Sequence, residues 1–91
     1  HCVTAVGDDA QQIQIVFGYV NSTTLVPTTN LADVSAYTYH QDYSTSTVEN
    51  DIALLRLNKP IVLSQNVKLA EVATTSPTVG ESYYAAGWGL T

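Results

Sequence analysis

Two residues 50 positions apart, His1 and Asp51, are the pair in this sequence best suited to proton chemistry. Asp51 stands at the head of an aliphatic run, Ile52-Ala53-Leu54-Leu55, that reads as a buried strand. A carboxylate at the head of a core strand calls for a partner to neutralise it. The best candidate is His1, followed at once by Cys2. Histidine changes charge near neutral pH, so an imidazole held by a carboxylate is suited to taking a proton and returning it. Taken singly, each residue has a plainer reading. A terminal histidine is a solvated end, and an aspartate before a strand is a turn residue.

The elements that must position the pair are strands. Residues 1–11 leave His1-Cys2 and enter a polar turn, Gly7-Asp8-Asp9-Ala10. Residues 12–19 alternate, with Ile13, Ile15 and Phe17 on one face and Gln12, Gln14 and Val16 on the other, the period of a strand with one face in a core. Gly18 marks a bulge or a close backbone approach. Residues 21–30 are rich in Ser and Thr and read as a loop around Pro27, with room for a short edge strand. Residues 31–39 form a second strand, with Val34, Ala36 and Thr38 opposed to Ser35, Tyr37 and Tyr39. A polar loop covers 40–48. The third strand runs over 51–57 and is stopped by Asn58-Lys59-Pro60. Residues 61–73 read as an extended connector, Thr74-Thr75-Ser76-Pro77 as a turn, and 80–88 as a last strand. There is no helical stripe and no internal repeat. The class is all-β, with strands at the spacing of a small barrel.

Composition narrows the partners. Eight acidic residues against three basic give a net charge of −5, whereas phosphate binding needs clustered Lys and Arg, so no nucleic-acid partner is expected. No run approaches 18 apolar residues, so no membrane span is expected. A hydrophobic fraction of 45% with 12% charged residues fits a folded chain rather than a disordered one. Ninety-one residues are at the lean end for a self-sufficient core. The chain starts at His rather than Met, so a missing signal peptide says nothing about secretion. The single cysteine, Cys2, is either a buried reduced thiol or half of a bridge to a segment not in this chain.

His1-Cys2, then Asn50-Asp51-Ile52-Ala53-Leu54-Leu55-Arg56-Leu57, then Gly87-Trp88-Gly89, in that order, resembles the trypsin/chymotrypsin-like serine protease family. The match is to an internal fragment, from the catalytic histidine to the Gly-Trp-Gly motif. The family's archetype separates its histidine and aspartate by about 45 residues, so a few loop insertions account for the difference. The resemblance implies an incomplete two-barrel fold. Residues 1–73 would be most of the first antiparallel barrel with the start of the crossover, and 74–91 the linker and opening strand of the second. It implies acyl transfer through a serine, with His1 as general base and Asp51 holding the imidazole in one tautomer. It also implies secretion, protein or peptide substrates, and protein protease inhibitors as possible partners.

The nucleophile is not recognisable. In the archetype it follows the aspartate by about 93 residues, beyond Thr91, and no Gly-Asp-Ser-Gly-Gly occurs. Ser22, Ser35, Ser44, Ser46, Ser64, Ser76 and Ser82 match no nucleophile context. With base and orienting carboxylate but no nucleophile, this chain alone is expected to be inactive. Cys2 corresponds to a family cysteine that pairs with one a short distance upstream. His40-Gln41-Asp42-Tyr43 resembles the family's His-Pro-x-Tyr, with His40 expected to be an ordinary loop histidine. Tyr43 and Val48 fall where relatives line the S2 subsite, and ordinary packing roles suit both equally. Asn50 reads as a backbone-positioning residue, and Trp88 as a packed aromatic whose flanking glycines permit a tight strand.

Two departures matter. Calcium-binding relatives carry a glutamate where this chain has Tyr19, and residues 19–27 contain no carboxylate, so no calcium or other cofactor is expected. Tyr83 stands where many relatives have a cysteine, so that disulfide should be absent. Two other readings compete with the enzyme. One is a catalytically inactive homologue that binds proteins through the same barrel surface. The other is a small autonomous β-domain unrelated to proteases, with His1 far from Asp51.

Overall fold

The computed structural model describes residues 1–21, 23 and 26–90. Its framework is an antiparallel sheet of three strands in the order β1-β2-β3: β1 is Gln14–Val16, β2 is Leu31–Tyr39 and β3 is Ala53–Leu57. Three single-turn 3₁₀ helices precede β1 and β2, over Val3–Val6, Ala10–Gln12 and Thr28–Asn30. The class is all-β. No helix among the described residues is long and apolar enough to cross a membrane.

β1 is shorter than its alternation suggests. Asp9 accepts hydrogen bonds from Gln11 N at 3.1 Å and Gln12 Nε2 at 3.2 Å, which winds Ala10–Gln12 into a turn and removes Gln12 from the strand. The predicted faces hold in β1 and at the residues flanking it: Ile13, Ile15 and Phe17 are half-buried, while Gln14 and Val16 are exposed. Beyond it the chain makes the close approach signalled by Gly18. Its φ is +78°, and a Cβ there would lie 3.0 Å from Asn30 Nδ2 and 3.4 Å from Val67 Cγ2. Asn30 uses that amide to donate to Phe17 O at 3.2 Å. Among the described residues of 21–30 there is no edge strand; Thr28–Asn30 instead turns into β2. Ser22 and part of the 19–27 segment lie outside the described residues.

The faces of β2 do not follow strict alternation. Val34 pairs with Leu57 but Ala36 pairs with Arg56, so Ser35 is an extra residue, a bulge, whose Oγ donates to Arg56 O at 3.2 Å. One inserted residue exchanges the faces beyond it. Val34 is buried, and the next sheltered side chain is Tyr37 rather than Ala36. Tyr37 and Tyr39 share a face, as the alternation predicts, and stack at 6.5 Å between centroids.

Three expectations need correction. The third strand starts at Ala53, not Asp51, and it is not buried: Leu54 is 72% exposed, and only Leu55 and Leu57 are partly covered. The buried core of the described residues is Val3 and Val34 alone. Residues 80–88 form no strand, because no partner strand lies alongside to bond their backbone. Trp88 is 70% exposed rather than packed, and nothing lies within 4 Å of a Cβ built on Gly87 or Gly89. Residues 61–73 belong to no strand, and the expected extended connector is interrupted by a tight turn at Gln65-Asn66 closed by a bridge between Ser64 and Val67.

Candidate active site

The antiparallel turn from β2 to β3 brings Asp51 to one end of the sheet, and the opening residues of the chain lie against it. His1 Nδ1 is 2.7 Å from Asp51 Oδ2. The His1 backbone nitrogen bonds the other oxygen, Oδ1, so both carboxylate oxygens are engaged by one residue. A peptide N–H could make that second bond as well as a terminal ammonium does. Thr4 Oγ1 donates to His1 O at 2.8 Å, fastening the residue to the first 3₁₀ turn.

This geometry fixes the proton inventory. An ionised carboxylate accepts only, so Nδ1 carries the hydrogen and Nε2 is left as the basic nitrogen. The group nearest Nε2 is Cys2 Sγ at 3.6 Å, and Cys2 is free and exposed. No serine hydroxyl among the described residues bonds Nε2. Ser35 is held in the β2 bulge, and Ser44 and Ser46 bond each other at 3.1 Å. The His1 and Asp51 side chains are 67% and 30% exposed. A pair this open to water contributes at most about 1 kcal/mol to stability, so its importance is directional rather than energetic. The expected shelter for Asp51 at the head of a buried strand is only partial here, because the apolar faces around it are uncovered.

The 91-residue sequence matches the family model described as Trypsin over residues 1–91. The chain belongs to the trypsin family. Its trypsin-family relatives include Trypsin alpha of Drosophila melanogaster, 33% identical over 89 residues, which are 98% of this chain and 33% of that protein. Trypsin alpha-4 of Lucilia cuprina is 30% identical over 91 residues, all of this chain and 34% of the relative. Trypsin theta of Drosophila erecta is 32% identical over 89 residues, 98% of this chain and 32% of the relative. The chain thus spans about a third of the length of the curated relatives it matches.

The other positions singled out for a trypsin-family chain are placed as follows. Tyr43 is half-buried, its ring set edge-on to Tyr39 at 6.1 Å and 80°. Val48 is exposed in the β2–β3 connection with φ +55°. His40 is a loop histidine whose Nδ1 accepts from Asp42 N at 3.0 Å. Trp88 reaches back across the chain, its Nε1 donating to Val20 O at 2.8 Å, beside Val16, Tyr19 and Val26. Among the described residues no three of His, Cys, Asp and Glu stand close enough to share a metal ion. Sequence reasoning did not foresee the hydrogen bonds that hold the backbone around Asp51. Its one signal was the asparagine directly before the aspartate.

Proposed function

We propose that these residues supply the general base and its orienting carboxylate to a trypsin-like serine endopeptidase. His1 Nε2 takes the proton of a serine hydroxyl as that oxygen attacks the scissile carbonyl, then returns it to the leaving amine. Asp51 keeps Nδ1 protonated, aims the ring and stabilises the imidazolium formed in between. The observation that carries this reading is the 2.7 Å contact between Nδ1 and Oδ2 across 50 positions of chain. A neutral ring that donates from Nδ1 to the ionised carboxylate has the tautomer and orientation that a base acting through Nε2 requires. The nucleophile and oxyanion-hole donors fall outside these residues in this reading, as a chain spanning a third of its relatives allows. No cofactor is invoked.

Within the same proposal, residues 1–73 form most of a first barrel with the start of the crossover, and 74–91 lead into the second. Tyr43 and Val48 line the S2 subsite beside His1. Cys2 joins a cysteine upstream in a disulfide, which would draw its sulfur away from Nε2. Such a protein acts outside the cell on protein or peptide substrates, and protein inhibitors of proteases would contact the same cleft. A silent homologue that only binds proteins has no need of the oriented imidazole.

The test is hydrolysis of peptide esters by the full-length protein and by the 91-residue chain alone. The full-length protein should turn over and its His1→Ala variant should not, while the short chain is inert. Turnover by the short chain that is lost on changing His1 would contradict this account of the nucleophile. A full-length protein with a residue other than serine at the nucleophile position would favour the silent homologue.

A further inference from the structure

The backbone at Asp51 is irregular, yet the chain on each side of it is tied down. β3 begins two residues later, so no strand ladder fixes the carboxylate. On the downstream side, Ile52 N donates to Asn50 O at 2.9 Å, closing a three-residue turn with Asp51 at its centre. Ile52 O accepts from His40 N at 3.1 Å, which ties that turn to the end of β2. On the upstream side, Asn50 has φ +57°, and its side-chain Nδ2 donates to Asp42 O at 3.0 Å. The Asp42 peptide is itself held, because Asp42 N donates to His40 Nδ1. The loop is cross-tied once more by Val48 N to Ser44 O at 2.8 Å and Ser44 N to Glu49 O at 3.2 Å.

Asparagine suits this position for two reasons. It is among the few side-chain-bearing residues that enter the left-handed region readily. It also supplies the donor that a glycine there would lack. A change in φ at Asn50 rotates the peptide leading directly into Asp51, and the carboxylate swings with it. We propose that Asn50 is a positioning residue, whose left-handed backbone and amide bond to the Asp42 carbonyl set the direction in which Asp51 presents its carboxylate to His1. The inference rests on the reading of His1 and Asp51 as base and orienter, and it assigns the clip that makes them one unit.

Two variants of the full-length protein separate the two halves of the device. Asn50→Gly keeps the left-handed backbone and removes the amide. Asn50→Ala removes the amide and disfavours the backbone. For Asn50→Gly, kcat should fall about three- to tenfold, the effect of one lost hydrogen bond on the barrier. Asn50→Ala should fall further, and KM should stay within about twofold in both because Asn50 is not expected to touch substrate. A weaker hold on the imidazolium also moves the His1 titration, followed by NMR, to lower pH in the same order. If Asn50 is only structural, the variants melt earlier while kcat and the His1 titration stay at wild-type values, and the proposal is overturned. Should Asn50→Ala fail to fold, Asn50→Gly alone decides by the same readouts. Should the wild-type protein show no turnover, the proposed function fails, and the NMR titration still reports whether Asn50 positions the carboxylate.

Discussion

Val48 and Asn50 hold almost the same backbone angle, φ +55° and +57°, and meet it with opposite chemistry. The left-handed region costs an ordinary L-residue roughly 1–2 kcal/mol and a β-branched one no less. Asn50 offsets that with a local hydrogen bond, whereas Val48 carries it beside the site. Val48 N to Ser44 O and Ser44 N to Glu49 O keep the loop in this form. Val48→Asn should therefore stabilise the full-length protein by about 1 kcal/mol, seen as a rise in Tm. An unchanged or lower Tm would mean the valine is not strained. The contact between His1 and Asp51 was legible where type and order sufficed: a histidine, an aspartate and the aliphatic letters after it. The clip was not legible. Its acceptors are the Asp42 carbonyl and the His40 ring nitrogen, and a sequence does not say which backbone oxygen an asparagine reaches.

At the scale of elements, the positions of the three sheet strands along the chain and the inward face of β1 followed from the pattern of apolar residues, whereas their order in the sheet did not. The stop at Asn58-Lys59-Pro60 was equally plain: β3 ends at Leu57, and Asn58 N makes the last bond to β2, donating to Asp33 O at 2.9 Å. The bulge at Ser35 was hidden, because serine is at home in regular strands and only the register against Arg56 and Leu57 reveals the inserted residue. It decides which face of the sheet Tyr37 and Tyr39 take relative to Val34, and Tyr39 there receives Tyr43. Residues 80–88 have the composition of a strand, but a strand is a pairing, and composition does not supply the partner.

On the scale of the whole chain, the apolar content exceeds what these residues can cover. Among the described residues only Val3 and Val34 are buried hydrophobic side chains, while Ile52, Leu54, Val62, Leu69, Val72, Tyr84 and Trp88 are all more than 60% exposed. β1 and β3 are open edges of the sheet, ready to pair with other strands. The 91-residue chain expressed alone should therefore self-associate or stay unfolded, as sedimentation velocity and thermal melting would register. A monomer with one sharp transition would contradict this. The sequence carried the apolar pattern of a buried strand at 51–57, and the pattern reports what a residue is suited to contact, not whether the contact is present among these 91 residues.

The proposed mechanism requires Asp51 to act through the His1 ring. Its most direct test is kcat for peptide-ester hydrolysis by the full-length protein carrying Asp51→Asn, which preserves shape and removes the charge. The amide presents its oxygen or its NH₂ to Nδ1 but cannot stabilise an imidazolium. The predicted result is a loss of about 10⁴ in kcat, the size known for the archetypal triad, with KM within about twofold. Turnover by Asp51→Asn at the wild-type rate would contradict the claim that these two side chains work as one.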